Sequence, residues 1–208
     1  MHALFVHGMG RSPLSGWRLL QQLKHAGFTT SHFGYTVLLE DFAGIRGRLI
    51  ARISTLAASG DDYVLIGHSL GGILLRAAVN DLPAGTPGPH HVFLLGSPLR
   101  PARLAQRLAA QPIYRALTRD CGQLLGSAER MAAVGPLSVP TTAIAGIRGL
   151  PWKRGPFGAD ANDGVVSLAE VSAEWLGELV RLRTVHTLLP SSRRVGEIIL
   201  DRVAKNAA

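Results

Sequence analysis

The sequence has little cysteine, few aromatic residues and no long apolar run, and each shortage excludes a class of protein. Cys121 is the only cysteine, so no disulfide can form within the chain. No apolar run approaches the roughly 20 residues that a membrane-spanning helix needs. Aromatic residues make up 6% of the chain and are not interleaved with its arginines, so we expect no nucleic-acid partner. Hydrophobic residues at 47% and charged residues at 17% are typical of a globular protein.

Length, first residues and charge give further expectations. A chain of 208 residues is most simply one domain, 1–208. The segment 1–8 lacks the basic stretch and cleavage site of a signal peptide, so we expect a cytoplasmic protein. The net charge of +8 comes mostly from arginine. Arg100, Arg103 and Arg107 recur at roughly helical spacing; they form either a solvated face, which we favour, or a patch for acidic substrates, phosphates or a membrane surface.

Strand-like and helix-like segments alternate along the chain. The apolar patterns predict strands at 4–6, 28–35, 63–66, 91–95, 141–145 and 179–183, and helices at 17–26, 41–58, 70–81 and 192–205. This alternation predicts an α/β fold, with a mostly parallel sheet covered by helices on both faces.

The segment 99–136 does not fit the alternation, because it is long and lies between two predicted strands. It is rich in Ala, Leu and Arg, and we expect it to hold one or two helices, at 102–109 and 113–117. Two interpretations stay open: a helical lid over the carboxyl ends of the strands, or a plain crossover with an irregular tail.

The most informative motif is Gly67-His68-Ser69-Leu70-Gly71-Gly72, which lies between a predicted strand and a predicted helix. The pattern G-x-S-x-G in this context is typical of a nucleophile elbow, a sharp turn that exposes the serine hydroxyl at the top of a sheet. The glycines two positions before and after Ser69 leave room for strand and helix to approach closely. Ser69 is therefore the candidate nucleophile.

A serine nucleophile needs a base, and one histidine has the right context. His186 alone follows a late strand and precedes the last helix. The other histidines lie within or at the start of strands, on a helix or inside glycine motifs, namely His2, His7, His25, His32, His68, His90 and His91. We expect His7 and His68, in the glycine motifs, to shape loops rather than titrate.

The base needs an orienting carboxylate, and three candidates follow the predicted strand at 141–145. Asp163, in Asn-Asp-Gly followed by two valines, is the first choice. Asp160 is its rival and Glu170 a distant third. The tripeptide could also simply form a turn, which its composition suits.

An oxyanion intermediate needs backbone N–H donors. Leu70 offers one at the start of the predicted helix, and Met9, in the loop after the first strand, is placed to offer the second. Gly8 and Gly10 flank Met9 and allow this loop to approach a substrate closely.

Through four segments, the chain resembles the α/β-hydrolase superfamily, and more narrowly small bacterial lipases and esterases. The segments are His7-Gly8-Met9-Gly10, the serine motif at 67–72, Asn162-Asp163-Gly164-Val165-Val166 and His186-Thr187-Leu188-Leu189. The resemblance implies a minimal fold of about six strands without the first hairpin, and a Ser69, Asp163, His186 triad in the family's chain order. Secreted lipases of this type often hold calcium beside the catalytic histidine. Residues 187–189 supply no such ligand, so we expect no calcium or other metal. A reaction through the triad needs no cofactor, and we expect none.

Three functions are compatible with this sequence. The first is a carboxylic ester hydrolase acting on a small-molecule or lipid ester. The second is an acyl thioesterase or acyltransferase with the same triad, in which the arginines at 100–107 would hold a phosphate-bearing carrier. The third is a non-catalytic interaction protein on a hydrolase scaffold, since folds of this kind can lose their chemistry. The three triad residue types in family order favour the enzymes.

Overall fold

A six-stranded sheet forms the centre of the protein, as the sequence predicts, and it is parallel throughout rather than mostly parallel. A computed structural model describes residues 1–149 and 155–206. The strands are β1 (His2–Val6), β2 (Thr29–Phe33), β3 (Tyr63–His68), β4 (His91–Leu95), β5 (Thr141–Gly146) and β6 (Glu178–Leu182). Their spatial order is β2-β1-β3-β4-β5-β6. Because all six run the same way, the loops that follow them meet at one edge of the sheet, where doubly wound folds bind ligands.

Burial follows strand position in the sheet. Every residue of β3, β4 and β5 is buried, and β3 and β4 read as near-continuous apolar runs, as expected for strands covered on both faces. The edge strands β2 and β6 are partly exposed. The interior strands therefore provide a rigid support for the loops that follow them.

Helices cover both faces of the sheet, as predicted. They are α1 (Trp17–His25), α2 (Phe42–Ala57), α3 (Leu70–Asn80), α4 (Arg103–Leu108), α5 (Pro112–Gly126), α6 (Ala128–Ala133) and α7 (Arg193–Asn206), with short 3₁₀ helices at Pro13–Gly16 and His186–Ser191. One apolar cluster joins a face of the sheet to α1 and α7, and another joins the opposite face to the other helices.

The segment 99–136 holds three helices, α4, α5 and α6, rather than the one or two expected. The helix predicted at 113–117 continues to Gly126 through a kink at Arg119, where φ is 46°. Side chains anchor the kink to the start of α2, because the Arg119 guanidinium donates to the Leu38 carbonyl and Phe42 N–H donates to Asp120 Oδ2. The polar run at 118–120 interrupts the apolar pattern, so the sequence does not predict this continuation.

The buried side chain of His91 makes the stability of this fold depend on pH. Burial lowers its pKa from 6.5 to about 4. Between about pH 6.5 and pH 4, the unfolded chain therefore binds a proton at His91 that the folded chain does not bind. The free energy of unfolding should fall as the pH drops through this range. His91→Gln should reduce this fall in urea titrations at several pH values. The exposed His25→Gln is the control, and equal pH dependence in parent and His91→Gln would contradict the prediction.

Candidate active site

The turn from β3 into α3 holds Ser69 in a strained backbone conformation, with φ 53° and ψ −123°. Among the described non-glycine residues, only Ser69 and Arg119 have a positive φ. The neighbouring strand fixes the turn, because Ser69 N–H donates to the Leu95 carbonyl at 2.9 Å. Such strain persists only where the surroundings determine it, and it clusters at functional sites.

The predicted close approach of helix and strand is present at this turn. A Cβ added to Gly67 would overlap the backbone of Gly72, and one added to Gly71 would overlap the carbonyl of Val6. A Cβ on Gly72 would meet the Ser97 hydroxyl. Each glycine therefore allows a contact that any other residue would prevent, and together they bring the start of α3 against β1 and the loop after β4.

Asp163 and His186 come together from the loops after β5 and β6. Asp163 Oδ2 lies 2.7 Å from His186 Nδ1, and the two side chains are 0% and 7% exposed. The other carboxylate oxygen accepts hydrogen bonds from Val165 N–H at 2.9 Å and Val166 N–H at 2.8 Å. The His186 backbone N–H donates to the Asp163 carbonyl at 3.0 Å. Both carboxylate oxygens are thus engaged, and the imidazole orientation is fixed.

The two rival acids lie elsewhere and hold α4 in place. Asp160 Oδ2 forms an ion pair with Arg103 Nη2 at 2.6 Å. Glu170 is buried and accepts from Ser167 N–H at 2.6 Å and from Arg103 N–H at 2.5 Å. Neither carboxylate pairs with His186 in the part of the chain that the structure describes. Arg103 is therefore committed to acids of its own chain, which weakens the interpretation of residues 100–107 as a patch for phosphates.

His7 shapes the loop after β1. Its Nδ1 lies 2.8 Å from the Gly8 carbonyl, and its Nε2 accepts from Tyr35 N–H at 3.3 Å, so the proton is on Nδ1. The Tyr35 hydroxyl donates to the His7 carbonyl, and the two rings stack with centroids 4.3 Å apart. Burial lowers the pKa of His7. His7 and Tyr35 together support the loop that contains Met9. Tyr35 belongs to no motif, so the sequence does not predict this contact.

His68 connects the serine turn to the histidine loop. Its Nε2 lies 3.1 Å from the carbonyl of His186, and the two rings are 4.8 Å apart. Burial lowers the pKa of His68 well below its ordinary value, so the imidazole is neutral and Nε2 donates. The expected loop-shaping role of His68 agrees with this geometry. A Cβ on Gly8 would lie 3.0 Å from both His68 Nδ1 and the Ser69 Cβ, so the loop passes directly over the serine.

A cavity of about 220 Å³ opens beside Ser69 and His186, and Met9 forms part of its wall. Leu70 begins α3, so its backbone N–H has no partner within the helix. The segment 99–136 contributes a mostly apolar wall, comprising Ala102, Leu104, Ala105, Leu108, Tyr114 and Leu125. This segment therefore forms part of the wall of the cavity beside the serine, and its role as a lid stays a prediction.

Gly96, directly after β4, is a further site residue that the motifs did not identify. Its φ is 53°, and an added Cβ would lie 2.8 Å from Leu189 Cδ1, 3.0 Å from His186 Nδ1 and 3.1 Å from Asp163 Oδ2. Gly96 thus packs directly on the Asp163–His186 pair. A glycine at the end of a fully buried strand is the one sequence signal that could have found it.

Residues 1–149 and 155–206 show neither a cluster of metal ligands nor a helix that could span a membrane. They contain no group of three or more His, Cys, Asp or Glu side chains that could hold a metal ion. None of their helices is long and apolar enough to cross a membrane.

No family model and no curated protein matches this chain. Solved structures do. The mature Bacillus licheniformis lipase BlEst2 matches 97% of this chain and 91% of its own, with a TM-score of 0.77 and 16% identity. One structure, described as that of LipS and LipT, two metagenome-derived lipolytic enzymes, gives a TM-score of 0.73 and 17% identity over 98% of this chain and 93% of its own. Tomato methylketone synthase I, complexed with 2-tridecanone, gives a TM-score of 0.67 and 13% identity over 99% of this chain and 98% of its own. The chain has the α/β-hydrolase fold, which hosts different reactions in these proteins.

Gly96→Ala should disturb the acid–base pair. The new methyl group meets His186 and Asp163 in a backbone conformation that alanine rarely adopts, so we expect a loss of about 1–3 kcal/mol in the free energy of unfolding. The NMR signal of the proton between His186 and Asp163 should shift or vanish. Gly47→Ala is the matched control, because Gly47 lies exposed in α2 with nothing within 4 Å of an added Cβ. Unchanged stability and an unchanged proton signal in Gly96→Ala would refute the packing argument.

Proposed function

We propose that the protein is a serine carboxylic ester hydrolase that works through an acyl-enzyme on Ser69. The observation that carries the proposal is the buried Asp163–His186 pair beside a cavity that Ser69 also lines. Such a pair is costly to bury and adds little to stability compared with apolar residues of similar size. Its burial favours a chemical role over the alternative of a non-catalytic scaffold.

In the first half-reaction, the Ser69 hydroxyl attacks the ester carbonyl while His186 Nε2 accepts its proton. His186 Nδ1 faces Asp163, so Nε2 is the nitrogen available for this transfer. The tetrahedral oxyanion accepts hydrogen bonds from the Leu70 and Met9 backbone N–H groups. Its collapse breaks the bond to the alcohol oxygen, and His186 returns the proton to that oxygen.

In the second half-reaction, water replaces the alcohol. His186 accepts a proton from the water as its oxygen attacks the acyl-enzyme, and then protonates Ser69 as the carboxylic acid leaves. Asp163 holds the imidazole tautomer throughout and stabilises the imidazolium that forms twice per cycle. The two valine N–H bonds keep the carboxylate in this orientation.

The apolar wall from α4 and α5 favours an ester with an apolar acyl group, because burying each methylene contributes about 0.8 kcal/mol. The substrate is a small-molecule or lipid ester. The second candidate, thioester hydrolysis, uses the same residues, and its proposed carrier contact at 100–107 is weakened by the pairing of Arg103 with Asp160 and Glu170.

Ser69→Ala should lower kcat for a 4-nitrophenyl ester by roughly 10⁴-fold or more, because triad residues act as a unit. The far-ultraviolet circular dichroism should stay native, since the side chain loses only its hydroxyl. An acyl-CoA of equal chain length, assayed in parallel, separates ester from thioester hydrolysis. Full activity in a natively folded Ser69→Ala protein would exclude Ser69 as the nucleophile.

Asp163→Asn should lower kcat by roughly 10³–10⁴-fold, because an amide favours the wrong imidazole tautomer. Asp160→Asn is the matched control. It removes a half-exposed ion pair with Arg103 and should change kcat only a few-fold. Initial rates on one soluble ester decide between them, and a larger loss in Asp160→Asn would reassign the acid.

A further inference from the structure

Arg11 is the one Arg, Lys, Asp or Glu among the described residues that line the cavity beside Ser69. It follows the glycine loop after β1, where Gly10 adopts φ 68° and Arg11 N–H donates to the Gly8 carbonyl at 3.2 Å. This turn fixes the position of the Arg11 backbone two residues after Met9. The cation therefore belongs to the same loop as the proposed oxyanion donor.

The Arg11 guanidinium has no carboxylate partner among the described residues. Arginines that face acids in this structure do form ion pairs, as Arg103 does with Asp160 and Arg202 with Glu178. The lining of the cavity holds no Asp or Glu that could neutralise Arg11. Its positive charge reaches the site, since it contributes, after burial and the neighbouring His186, to the lowered pKa of His68.

An unpaired guanidinium beside an apolar wall has a clear chemical preference. Arginine binds carboxylate and phosphate through strong, charge-assisted and often bidentate hydrogen bonds. Arg11 is exposed to solvent, so an anionic group can reach its guanidinium without displacing a carboxylate of the protein. The cavity thus combines apolar contacts from α4 and α5 with one binding group for an anion.

We propose that Arg11 binds an anionic group of the substrate, so that the preferred substrates are esters with a carboxylate or phosphate close to the scissile bond. The proposal rests on the proposed ester hydrolysis. Closeness follows from sequence, because Arg11 is only two residues from Met9, whose N–H faces the reacting carbonyl in that mechanism. An anion at the far end of a long carrier would not meet this residue.

The test compares three butanoyl esters: neutral 4-nitrophenyl butanoate, the carboxylated 3-butanoyloxy-4-nitrobenzoate and the phosphorylated 4-butanoyloxyphenyl phosphate. We expect Arg11→Gln to lower the ratio of kcat/KM for an anionic ester to that for the neutral ester by about 10-fold or more, mainly through KM. Arg11→Lys should retain part of the preference. Comparing the two anionic esters shows whether carboxylate or phosphate is bound.

Arg18→Gln is the matched control, because Arg18 is exposed on α1 and does not line the cavity. It should leave the ratio as in the parent. A ratio in Arg11→Gln equal to that in the parent and in Arg18→Gln would overturn the proposal.

A binding measurement separates this proposal from the proposed reaction. In the Ser69→Ala background, calorimetry should show the carboxylated ester binding about 10-fold or more tighter than the neutral one, and Arg11→Gln should abolish that difference. Arg11-dependent binding without turnover in the parent would support Arg11 while contradicting ester hydrolysis. Turnover without Arg11-dependent binding would contradict only the role of Arg11.

Discussion

The contact between the first turn of α3 and the sheet is the constraint on which the rest of the site depends. Gly71 lies against the carbonyl of Val6, and Gly72 lies against Ser97, so no side chain fits at either position. Helix and strands can approach this closely only if the connecting residue adopts a positive φ, and Ser69 does so. Packing of the sheet thereby sets the direction of the serine hydroxyl and places the start of α3 beside it.

A second constraint fixes the proposed acid–base pair. The loops after β5 and β6 meet because the strands are parallel neighbours, and the Asp163–His186 pair joins them. Backbone N–H groups satisfy the second carboxylate oxygen, which reduces the cost of burying a charge. The other acids of this region, Asp160 and Glu170, bind Arg103 and hold α4 at the wall of the cavity. Similar carboxylates thus serve different purposes according to the partners that their loops reach.

Much of this arrangement follows from local patterns in the sequence. The strand predicted at 91–95 has the same bounds as β4, and the other five predicted strands overlap β1, β2, β3, β5 and β6. The serine turn carries a local signal, because strand, glycines and helix are contiguous. The choice of Asp163 and His186 follows from their positions after strands of a parallel sheet.

Contacts between distant segments could not be predicted. The kink at Arg119 depends on hydrogen bonds to the start of α2, and the support of His7 depends on Tyr35. Gly96 matters because two later loops fold onto it. The pairing of Arg103 with Asp160 likewise appears only in three dimensions, so the arginine spacing alone left its role open.

The central claim is that Ser69 is a nucleophile activated by its neighbours. Incubation with a fluorophosphonate, followed by mass spectrometry of the intact protein and its peptides, tests this directly, because the reagent phosphonylates an activated serine much faster than an ordinary one. We expect one phosphonyl group per native chain, located on Ser69, and no adduct when the protein is unfolded before the reagent is added. No adduct on the native protein, or an adduct on another residue, would contradict it.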